Sequence, residues 1–122
     1  MRNDLSFRLP LGIVLMLSLL TGAKAQSQQA NDRTYSMRIA NLTSEERDAI
    51  VSDLSKGSDA RVVFACVPAG IMVFEAAPTK DRIQARQATV ARIEARTRRE
   101  RLNDGPASLA EAEAACANAR NQ

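Results

Sequence analysis

The feature that most constrains this chain is an apolar run, Leu9 to Leu20, preceded by Arg2 and Arg8 and followed by Thr21-Gly22-Ala23-Lys24-Ala25. Its twelve residues are too few to span a bilayer comfortably, and small residues stand three and one positions before the end of the segment. The pattern predicts a signal peptide over residues 1–25, cleaved after Ala25, and a product that is periplasmic or secreted. No cysteine follows the run on which a lipid anchor could be built, so the expectation is a soluble mature chain. It would fold where thiols are oxidised.

Composition then narrows the chemistry. The 122 residues, 45% apolar and 25% charged, suit one domain. Histidine is absent, which removes the side chain that most readily exchanges protons near neutral pH and is the commonest zinc ligand. The four aromatics are Phe7, Tyr35, Phe64 and Phe74, too few for a base-stacking platform. Beyond Ala25 the chain carries 14 bases against 13 acids, so nucleic acid is excluded as a partner on charge grounds. No phosphate-cradling glycine loop, hydrolase elbow or zinc signature is present, and no catalytic residue, cofactor site or metal site is assigned.

Residues 26–33 read as a polar, flexible leader, and residues 34–122 as a single domain. Tyr35, Met37 and Ile39 alternate with polar neighbours as in a half-buried strand. Thr43 with Glu46 forms a capping box for a helix carrying Ile50, Val51 and Leu54. Ala60 to Val67 reads as a buried strand, with Val62, Phe64 and Cys66 on one face and Val63, Ala65 and Val67 on the other. Pro68-Ala69-Gly70 turns the chain into a returning strand, Ile71 to Glu75. A long basic helix is expected over 79–102, with Ile83, Val90 and Ile93 as its apolar stripe, stopped by Asn103-Asp104-Gly105-Pro106. Ser108 and Glu111 cap a last helix over 107–120. The fold class is therefore α+β: a ferredoxin-like βαββα sandwich with a C-terminal helix in place of a fourth strand. Handedness of the crossover sets the first and third strands side by side, with the second at an edge.

The two cysteines, Cys66 on the second strand and Cys116 on the last helix, are expected to form a disulfide. Cys116 shares a helical stripe with Leu109, Ala112 and Ala119. Neither lies in the C-x-x-C arrangement that redox catalysis favours.

Over residues 34–75 the strand, helix and hairpin plan resembles the heavy-metal-associated domain of copper chaperones and metal-transporting ATPases. That family holds soft metal with M-x-C-x-x-C after the first strand. Here the stretch reads Ile39-Ala40-Asn41-Leu42-Thr43, without either cysteine. The resemblance implies a relative that has lost metal binding, and it carries over no site residue.

Lys80 to Arg101 contains eight bases and three acids. One reading is a solvated face with pairs such as Glu94 to Arg98. The functional reading is an interaction surface of Arg92, Arg96, Arg98, Arg99 and Arg101 for an acidic protein partner. The absence of interleaved Trp or Phe disfavours a membrane surface. Glu45, Glu46 and Asp48 sit where carboxylates favour a helix start, and the Asn41-Leu42-Thr43 sequon is read as accidental. The expected function is an exported, non-enzymatic interaction or structural module. The alternatives are a degenerate heavy-metal-associated-like domain in metal handling and, last, a thiol-disulfide or other enzyme.

Overall fold

Alternating apolar residues meet across three long antiparallel strands. In a computed structural model describing residues 32–122, the elements run β1 (Thr34–Ile39), α1 (Ser44–Ser55), β2 (Ala60–Cys66), β3 (Ile71–Ala76), α2 (Arg82–Glu94), a 3-10 turn (Arg99–Arg101), β4 (Leu102–Asp104) and α3 (Leu109–Arg120). The expected signal segment, 1–25, and the leader up to residue 31 lie outside the described residues. Arg33, assigned to the leader, already pairs with β3: its carbonyl accepts from Ala76 N–H at 2.9 Å and its guanidinium donates to Ala76 O at 2.6 Å.

The sheet order is β2-β3-β1-β4, antiparallel throughout, with β1 beside β3 and β2 at an edge as the crossover argument requires. The expectation of a helix in place of a fourth strand is corrected. Leu102, Asn103 and Asp104 pair with Ile39, Arg38 and Met37, and α3 comes in addition to that strand. The basic helix is shorter than expected as well, running from Arg82 to Glu94 instead of 79–102. Its true N-cap is Asp81, which accepts from Gln84 N–H at 2.8 Å. No Gly or Pro ends it. Arg96 and Thr97 both close back onto Ile93 O at 2.9 Å, and the chain then bends to lay β4 along β1.

At both predicted capping boxes the N-cap half forms, while the glutamates reach Thr43 Oγ1 and Ala107 N–H instead of the N-cap amide. Thr43 Oγ1 accepts from Glu46 N–H at 3.1 Å, and Ser108 Oγ from Glu111 N–H at 3.2 Å. Gly70 has φ +65, and a Cβ there would lie 2.5 Å from Ile39 O, so the turn into β3 requires glycine. Gly105 stands where β4 leaves the sheet, and a Cβ there would run into Ser36 Oγ and approach Met37 N to 2.9 Å.

The sheet is covered on both faces. On one, α1 and α2 bury Tyr35, Met37, Ile39, Ile50, Met72 and Phe74. Tyr35 stacks on Phe74 with ring centroids 5.5 Å apart. The Tyr35 hydroxyl lies 2.6 Å from Thr89 Oγ1, which itself donates to Ala85 O. Burial raises the Tyr35 phenol above its ordinary pKa, against the opposing pull of that hydrogen bond. The buried stripe of α2 is accordingly Ala85, Thr89 and Ile93. Ile83, expected in the stripe, is 71% exposed.

On the other face α3 covers Ile71 and Val73 with Ala112, flanked by Val63, Phe64 and Leu109. A bulge decides which β2 residues arrive there. Val62 pairs with Phe74 but Phe64 pairs with Val73, so Val63 is an extra residue and strand parity flips beyond it. Val62 therefore belongs to the α1/α2 face, while Phe64 and Cys66 face α3. The sequence reading, which kept Val62, Phe64 and Cys66 together, missed this slip. Cys66 and Cys116 are bonded, with Cα atoms 6.0 Å apart and exposures of 1% and 3%.

Candidate functional site

The arginine-rich segment divides into members that turn inward and members that turn outward. Arg92 donates to Asp53 O at 3.2 Å and approaches Asp59 to 4.0 Å. Arg96 grips the Asp53 carboxylate with Nε and Nη2, the latter at 2.9 Å. That hydrogen bonding holds the Asp53 carboxyl below, and the Arg96 guanidinium above, its ordinary value.

Arg101 works hardest. Nη1 and Nη2 each reach one Glu46 oxygen at 3.0 Å, Nε donates to Ala40 O at 2.8 Å, Nη2 to Asn41 O at 3.0 Å and Nη1 to Thr97 Oγ1 at 2.7 Å. This ties the β1–α1 loop, where Asn41 has φ 58, to the start of α1 and to the turn after α2. The planar fork of arginine suits such a junction, since a lysine has no second planar edge to offer. Hydrogen bonding from Arg101, outweighing partial burial, pulls the Glu46 carboxyl below its usual range.

Of the five arginines assigned to one surface, then, Arg92, Arg96 and Arg101 hold α2 and the segment after it against α1. Only Arg98 and Arg99 point away. Arg99 lies 3.6 Å from Glu94 with its side chain 86% exposed, and this pair replaces the expected Glu94 to Arg98 contact because the helix stops at Glu94.

Beyond the outward arginines runs a groove of about 400 Å³ between α2 and β4. Met37, Val90 and Leu102 form its floor. Arg86 pairs with Asp104 across one end, and Glu94 with Arg99 at the other. Ile83 stands one turn before Arg86 on the same outer face of α2. Sequence reasoning did not assemble this set. Arg86, Val90 and Glu94 share one helix face by their spacing of four, but their partners Leu102 and Asp104 lie on a strand too short to show a period.

Among the described residues no group of three or more His, Cys, Asp or Glu is gathered in a metal-binding arrangement, and no buried side-chain polar atom lacks a hydrogen bond. No helix among them is long and apolar enough to cross a membrane. No protein-family model matches the chain, and no curated protein and no solved structure matches it.

Proposed function

We propose that this chain is an exported, non-enzymatic domain of ferredoxin-like topology with an added C-terminal helix, and that it works by docking a protein in the groove between α2 and β4. The strand order β2-β3-β1-β4, with α1 joining the first two strands and α2 the last two, supports that topology. Export is supported by the apolar run at Leu9 to Leu20 and by the bonded Cys66–Cys116 pair. The observation that carries the docking reading is the groove itself, with Met37, Val90 and Leu102 among its lining and an exposed ion pair at each end; Ile83, 71% exposed on the adjoining outer face of α2, enlarges the apolar surface beside it.

Arg98 and Arg99 extend the same rim and supply the cationic character expected of a surface for acidic groups. A degenerate heavy-metal-associated-like domain is the second reading, favoured by the same strand order. That reading, having lost its metal ligands, requires no protein adduct at position 83, which the crosslinking experiment looks for.

A photo-crosslinking residue at position 83 tests the docking reading in the exporting cell. A discrete protein adduct is expected there, weakened by Arg98→Glu with Arg99→Glu, and none from position 51 on α1, whose valine is 40% exposed. Equal labelling from both positions, or none from position 83, overturns the reading.

A further inference from the structure

We infer that the occupant of this groove is a second copy of the chain, paired antiparallel through β4 across a two-fold axis at Asn103. The inference rests on the docking reading and names its partner.

The edge of β4 is open in the right places. Ala40 N–H donates to Arg101 O at 2.9 Å and Gly105 N–H to Ser36 O at 3.3 Å, so positions 101, 103 and 105 turn their backbone groups toward β1. Leu102 and Asp104 turn theirs outward. Leu102 N–H is taken by Arg99 O, which leaves Leu102 C=O, Asp104 N–H and Asp104 C=O along the edge. A two-fold at Asn103 sets Leu102 of each copy opposite Asp104 of the other, and each Asp104 N–H then donates to a Leu102 carbonyl. The opposite edge of the sheet, β2, is broken by the bulge at Val63, which blunts it as a pairing template.

The charges obey the same symmetry. One end of the groove holds Arg86 with Asp104 and the other Glu94 with Arg99, with Val90 between. Rotation by a half-turn lays each end on the other, so that Arg86 meets Glu94 of the second copy and Arg99 meets its Asp104. All four contacts join opposite signs. The pairs within one chain are solvent-exposed and weak, so exchanging partners costs little. A uniformly acidic partner would instead press its carboxylates against Glu94 and Asp104, a like-charge contact that disfavours it. The acids that the arginines call for are supplied by the second copy. Ile83, one turn beyond Arg86, is covered in this arrangement by the chain following Glu94 of the other molecule.

Sedimentation of the full exported chain over a wide concentration range provides the test. Wild-type protein is expected to show a reversible dimer. Arg86→Glu alone and Glu94→Arg alone each place like charges at two symmetry-related contacts, which should weaken association about tenfold or more. An equimolar mixture of the two variants should recover a heterodimer of near wild-type strength, as should homodimers of the Arg86→Glu/Glu94→Arg double variant. Circular dichroism checks that all variants fold. A wild-type chain that stays monomeric throughout, or a dimer whose mixture shows no recovery, overturns the pairing. Monomeric behaviour with a persistent adduct at position 83 to a different protein would end the self-pairing while leaving the docking reading intact; loss of both would end both.

Discussion

The two faces of the sheet are held by different physics. Under α1 and α2, large side chains interlock: Phe74, Met72, Ile39, Ile50 and Ile93 are all at most 2% exposed, and Arg92, Arg96 and Arg101 tie the helices together at the rim. Under α3, the helix contributes mainly small residues. Ala112 and Cys116 are its only buried positions, and the disulfide does what side-chain volume cannot. One face is stabilised by area removed from water, the other by burial of Ile71 and Val73 under small residues together with a bond that restricts the unfolded chain. A helix built on alanine approaches the sheet closely but buries little, so its attachment depends on sulfur.

That contrast can be broken most forcefully at the disulfide. Its cysteines are 50 residues apart in sequence, and the chain-entropy relation gives roughly 4 kcal/mol for a loop of that size. Replacing both by alanine should lower the urea midpoint accordingly. Hydrogen exchange should show the α3 amides losing more protection than those of α1 and α2, whose protection falls only with the global stability; equal loss in all three helices would mean that the faces are not independent. On the opposite face, Ile50→Ala removes a side chain that is 2% exposed and should cost about 3 kcal/mol. Its signature differs, because protection should fall throughout the domain.

The smallest effect probes the arginine seam. Glu46 has its pKa lowered in the fold by Arg101, so the unfolded state takes up its proton first on acidification. The stabilisation is fully present above the unfolded value, taken as 4.5, and is lost as the pH falls through the depressed folded value. Glu46→Gln should cost about 1 kcal/mol at neutral pH, as befits a pair at the surface that is only partly buried, and should flatten the acid limb of a stability profile. An acid limb unchanged by this substitution would remove Glu46 from the seam's contribution.

Much of the fold was legible because local rules were obeyed. The alternation at Tyr35, Met37 and Ile39, the N-caps at Thr43 and Ser108, the turn at Gly70 and the pairing of the cysteines each rest on a few neighbouring residues or on simple counting. The failures share a cause. Nothing local marks the end of α2, since Ala95 to Arg101 holds no Gly or Pro and would continue a helix by propensity alone. Pairing of Leu102 to Asp104 with β1 and the reach of Arg101 to Glu46 override that preference. The bulge at Val63 is equally silent, because any valine can be the extra residue. The candidate groove inherited the first of these gaps, since the strand that walls it read as a helix stop, and Ile83 beside it read as core.

The sequence by itself determined the α+β class, the starts of α1 and α3, the first three strands and the identity of the covalent link, because each depends on periodicity or on residues with a singular backbone or chemical preference. Tertiary structure alone decided that Arg92, Arg96 and Arg101 turn inward while Arg98 and Arg99 turn out, that a fourth strand joins the sheet, and that Val62 and Phe64 face opposite sides of it. Those outcomes depend on which carboxylates, strand edges and faces come within a few ångströms of one another, and contacts between residues dozens of positions apart leave no mark in the pattern of a single chain.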